Sequence, residues 1–68
     1  MKTKKEILDY LNLMKGKYED NILRYEEILN HLDLKSNDYK MFDLMKKKDK
    51  EHLYAINNLL DFINGKED

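Results

Sequence analysis

From Ile7 to Leu32 the apolar residues of this chain recur at alternating steps of four and three. The row reads Ile7, Leu11, Met14, Tyr18, Asn21, Tyr25, Ile28 and Leu32, with Asn21 its one polar member. That period lays a stripe along one side of a helix, and Leu8, Ile22 and Leu29 widen the stripe on one flank. Thr3-Lys4-Lys5-Glu6 stands just ahead of it and matches a capping box, which predicts a helix starting at residue 4. Gly16 falls inside this helix at a cost of about 1 kcal/mol relative to alanine. The period keeps its phase from Met14 to Tyr18, so the helix is expected to run on, with a kink at most.

A second row follows: Tyr39, Phe42, Lys46, Asp49, Leu53, Ile56, Leu60 and Ile63, with neither glycine nor proline between Asn37 and Asn64. Between the rows lies the connection Leu34-Lys35-Ser36-Asn37-Asp38, where Ser36 can cap the next helix and Asp38 suits its first turn. Gly65 is placed to close the far end in the left-handed conformation. The predicted fold is all-α: a long antiparallel two-helix hairpin, about 4–33 and 37–64, forming a single helical domain over 1–68.

Folding the chain at residue 35 or 36 sets position i opposite about 71−i. Asn21 then falls opposite Asp49 and Lys50, so the polar interruptions of the two rows meet as one polar layer. Such a layer fixes register at some cost in stability. The alternative is a three-helix bundle broken near Lys48-Asp49, with Asp49 capping a third helix over 50–64.

Two helices of about 28 residues reach roughly 42 Å, and one hairpin cannot bury both sides of that length. Met41, Leu44, Tyr54, Phe62, Leu13 and Leu23 lie off the rows, and surplus apolar surface of this kind marks a protein contact. A homodimer closing into a four-helix bundle is the expected arrangement. Size argues the same way. A chain of 68 residues has a core worth on the order of 3–5 kcal/mol, and without cysteine it has neither a disulfide nor a thiolate zinc site to reinforce it.

Charge and candidate chemistry narrow the function. Thirteen basic residues against fourteen acidic ones leave −1, which gives no overall attraction to nucleic acid or anionic lipid. The one local concentration is Lys46, Lys47, Lys48 and Lys50, a candidate nucleic-acid contact beside Asp43, Asp49 and Glu51. Glu6, Asp9 and Asn12 interrupt any signal-like apolar run, and no 18 apolar residues occur together, so neither export nor a membrane span is expected. A cytoplasmic location fits.

Ser36 and Thr3 are the only aliphatic hydroxyls, and there is no glycine-rich phosphate loop, so no enzyme and no cofactor are expected. Glu27 with His31, and Asp49 with His52, share helix faces but form no Glu-x-x-His unit and read as surface residues, not metal ligands. The function expected is a non-enzymatic protein–protein interaction module, a regulator or inhibitor of a partner protein. Its Lys-, Asn- and Ile-rich composition suits a low-GC bacterium, a phage or another mobile element. The alternatives are a nucleic-acid-binding hairpin dimer that uses the lysine patch, and a structural oligomer subunit.

Overall fold

Thr3 opens the first helix as the capping box predicts. Its hydroxyl oxygen accepts a hydrogen bond from the Glu6 amide at 3.2 Å and donates one to the Glu6 carboxylate at 3.3 Å. The computed structural model describes residues 3–65, and within them the chain forms α1 (Lys4–Leu29) and α2 (Asn37–Gly65), packed against each other with no strand. Both helices are unbroken. α2 runs straight through Lys48-Asp49, which rules out the three-helix alternative.

α1 stops four residues short of the expected end, and local hydrogen bonding explains why. Past the C-cap Asn30, the amides of His31 and Leu32 donate to Ile28 and Leu29 carbonyls three residues back, tightening the last turn. Asp33 then competes for the backbone: its carboxylate accepts from the Lys35 amide at 3.0 Å, and its carbonyl accepts from both the Ser36 amide and hydroxyl. Ser36 in turn caps α2 by accepting from the Tyr39 amide at 3.0 Å, the role expected of it. At the far end, no glycine among the described residues has positive φ, so Gly65 ends α2 inside the helical region and not as a left-handed cap.

The helices meet along a heptad seam. In α1 and the turn after it, the seam residues are Leu8, Leu11, Lys15, Tyr18, Ile22, Tyr25, Leu29 and Leu32. In α2 they are Tyr39, Phe42, Lys46, Asp49, Leu53, Ile56, Leu60 and Ile63, and all sixteen are buried or half-buried. The α2 row and the 71−i register are those read from the sequence; Tyr18 stacking on His52 and Tyr25 against Phe42 fall within a few residues of it. The α1 row is not. Ile7 and Ile28 are exposed, and the seam takes Leu8, Lys15, Ile22 and Leu29 in place of Ile7, Met14, Asn21 and Ile28.

The polar layer shifts accordingly. Asn21 lies half-buried at the edge of the seam and Lys50 is exposed. The mid-seam polar group is instead Lys46, reaching Glu26 at 3.8 Å, with Asp49 one turn on.

Gly16 sits in an open stretch of α1, where an added Cβ would meet nothing within 4 Å. Gly16→Ala is therefore expected to stabilise the hairpin by about 0.5–1 kcal/mol, raising Tm by roughly 2–8 °C in a circular-dichroism melt. An unchanged or lower Tm would show that the glycine serves a purpose other than helix continuity.

What the fold does not do is bury much. Among the described residues only Ile22, Leu29 and Leu60 fall to 7–8 % exposure. The hairpin measures 48 × 17 × 17 Å with a radius of gyration of 15.5 Å, against about 11 Å for a globule of this length. Its surface of 5610 Å² exceeds the roughly 4,600 Å² of a compact monomer of 8.3 kDa.

Candidate functional site

Heptad geometry decides where the surplus apolar residues lie. Around each helix the seam positions a and d are flanked by g beside d and by e beside a, with c beyond g and b beyond e. Because α1 and α2 run antiparallel, the two g flanks share one broad side of the hairpin and the two e flanks share the other. The cross-helix contacts agree with this assignment. Tyr18 and His52, a d and a g residue, stack with centroids 5.3 Å apart, while Tyr25 and Phe42, both at d, lie 6.2 Å apart. On the other side Glu26, at e, reaches Lys46, at a.

The g-and-c side is the front. From α1 it carries Ile7, Tyr10, Met14, Lys17, Asn21, Arg24 and Ile28, and from α2 Asp38, Met41, Met45, Lys48, His52, Ala55, Leu59 and Phe62. Nine of these fifteen are apolar, and the one carboxylate, Asp38, lies at the turn end in the first turn of α2. The e-and-b side, the back, differs in kind: among its fifteen residues only Leu23 and Tyr54 are large and apolar, and Asp9, Glu19, Glu26, Asp43 and Asp61 are acidic. The hairpin is thus two-faced in both hydropathy and charge.

The structure does not gather the six off-row candidates into one patch. Met41 and Phe62 lie on the front, where both are at least half exposed. Leu23 and Tyr54 lie on the back, with Tyr54 at 70 % exposure. Leu13 and Leu44 occupy the outermost f positions, on opposite edges of the hairpin. Reading the sequence missed Ile7, Tyr10, Ile28, Met45 and Leu59, all exposed and all on the front.

The lysine patch fans out in four directions. Lys46 is half-buried in the seam against Glu26, and Lys47 is held on the back by Asp43 at 3.0 Å, the i,i+4 pairing expected on the helix surface. Lys48 belongs to the front, and Lys50 to the back flank.

Among the described residues no group of three or more His, Cys, Asp or Glu is placed to hold a metal ion, and no pocket opens in the surface. Among the described residues no helix is long and apolar enough to cross a membrane.

The mid-seam ion pair is only partly shielded, with Lys46 at 22 % and Glu26 at 45 % side-chain exposure, so its own contribution is at most about 1 kcal/mol. Replacing Lys46→Leu together with Asp49→Leu makes the seam apolar through its middle. This double variant is expected to melt roughly 5–15 °C higher. A lower Tm would show that the polar mid-seam contributes net stability.

Compared with protein-family models, with curated proteins and with solved structures, the chain matches none.

Proposed function

We propose that this hairpin is a non-enzymatic protein–protein interaction module, a regulator or inhibitor of a partner protein that uses the front as its docking face, and that without the partner two copies close front to front into a four-helix bundle. The observation that carries the reading is the front itself: nine apolar residues of fifteen, with a single carboxylate at its turn end, on a chain with little other core. Its 48 × 17 Å outline covers about 800 Å², the area each partner contributes to a standard interface. Positions a, d and g on every helix are what a four-helix bundle buries. A cytoplasmic location suits a chain without cysteine.

Pairing of this kind has a built-in electrical cost. Lys17, Arg24 and Lys48 lie at mid-length of the front, and a second copy brings its own three against them. Like charges near one another at an exposed rim repel, and salt screens the repulsion. Light scattering should give a mass rising from 8.3 kDa towards about twice that value with concentration. The pair should also tighten between about 0.05 M and about 0.5 M salt. A mass of 8.3 kDa at every concentration and salt level would refute the homodimer.

A further inference from the structure

Taken as a docking surface, the front has more structure than an apolar stripe. At the end of the hairpin near residue 4, Ile7, Tyr10 and Met14 face Leu59 and Phe62 across the groove between the helices. At the turn end Ile28 faces Met41 and Met45. Between these apolar ends, Lys17 and Arg24 stand on one lip of the groove and Lys48 on the other, level with residue 23 in the 71−i register. None of the three cations has an ion-pair partner among the described residues. The groove is therefore apolar at both ends and positive on both lips at its middle, where no ion pair holds the three cations although Asp20, Glu27 and Glu51 stand one turn away on the outer faces.

We propose that the partner regulated by this module is a single acidic amphipathic helix, laid lengthwise in the front groove, with apolar side chains towards its two ends and carboxylates on both flanks of its central turns. The proposal rests on the reading of the front as the docking face and adds the chemistry of what docks there. A third helix completes a bundle with a two-helix hairpin at the usual 8–10 Å between axes. The stretch from Tyr10 to Ile28 spans about 27 Å, the length of a helix of roughly 18 residues.

Charge separates this occupant from the others. A second copy sets cation against cation and, pairing being disfavoured at low salt, yields to an acidic helix that sets carboxylate against cation. A flat anionic lipid surface takes up an apolar face along its whole length and holds cations at the rim, whereas here the cations interrupt the apolar run at mid-length. Second copy and acidic helix thus compete for one groove, with salt effects of opposite sign.

The test uses two synthetic helical peptides of about 20 residues. Both carry Leu and Ile at the groove-facing positions, and they differ only in having Glu or Lys at the central flanking positions. With fluorescence anisotropy at low salt, the Glu peptide is expected to bind at least about tenfold tighter than its Lys twin, the combined effect of three screened charge pairs. High salt should shrink that margin to about threefold or less. Lys17→Glu, Arg24→Glu and Lys48→Glu together should reverse the preference. The corresponding triple Gln variant should abolish it, which keeps the test decisive if the Glu variant folds poorly.

Equal binding of the twins, or a preference indifferent to the Gln variant, overturns the proposal. So does binding to phosphatidylglycerol vesicles with neither peptide bound. If neither peptide binds while Met45→Glu still dissociates the pair, the acidic helix is wrong and the front remains the docking face. If Met45→Glu changes neither readout, both readings fall.

Discussion

Leu29→Ala is expected to abolish cooperative folding of the isolated hairpin. Leu29 is the last residue of α1 and one of three buried side chains among the described residues, so it ties the end of the helix to the seam where the chain turns back. Removing a buried leucine costs about 2–5 kcal/mol. A core of this size supplies on the order of 3–5 kcal/mol in total. The loss therefore consumes most or all of the stability, and circular dichroism at low concentration should show a largely unfolded chain. Leu13→Ala is the control. Its side chain is exposed at the outermost position of α1, and its removal should stay within about 0.5 kcal/mol of the starting protein. A Leu29→Ala protein that still melts cooperatively within a few degrees would mean that the seam is not what holds the hairpin together.

The second large effect concerns association and should leave the fold alone. Met45→Glu combined with Leu59→Glu places two carboxylates of each copy on the groove floor of the front, at exposed g positions that contribute little to the hairpin's own seam. Burying these charges against apolar neighbours costs several kcal/mol. Sedimentation equilibrium should accordingly show self-association weakened by at least about a hundredfold, with helicity unchanged. The matched change on the back, Leu23→Glu with Tyr54→Glu, introduces the same charge at side chains that are equally exposed or more so. It should leave the pair intact. The reverse outcome would move the interface to the back.

The contrast between those variants was only half legible in the sequence. Thr3 and Ser36 announced their helix starts because a side-chain oxygen three residues ahead of an amide has one obvious use. The α2 row was legible because its apolar residues form a narrow stripe, Leu53, Ile56, Leu60 and Ile63, with polar residues beside most of them. α1 offers a stripe three positions wide: Ile7 beside Leu8, Asn21 beside Ile22, Ile28 beside Leu29. Either member of each couple keeps the alternating period, so periodicity alone does not choose between them.

The choice matters because it decides which residues remain for the surface. With Ile7 and Ile28 assigned to the seam, the front loses half of its α1 contribution, and Met45 and Leu59 no longer stand out. The fold selects the other phase, which brings Leu8, Ile22 and Leu29 inside at the cost of one seam lysine. Lys15 is only half-buried there, and a lysine's long stem can lie along apolar surface with its ammonium in water. The end of α1 was hidden for a different reason. Leu32 continues the apolar period past Leu29, but the Asp33 hydrogen bonds hold the backbone in a turn. A periodic pattern does not report that competition.

The absence of cysteine makes the decisive measurement simple, since any single cysteine introduced is the only thiol present. Met45→Cys and Tyr54→Cys place that thiol on the front and on the back respectively. The rate of thiol labelling of each is then measured in dilute and in concentrated protein at high salt. The front should become protected as concentration rises, with labelling at Met45→Cys slowing by about tenfold or more while Tyr54→Cys reacts at one rate throughout. Protection of Tyr54→Cys with Met45→Cys left reactive would contradict the assignment of the front as the face this hairpin uses.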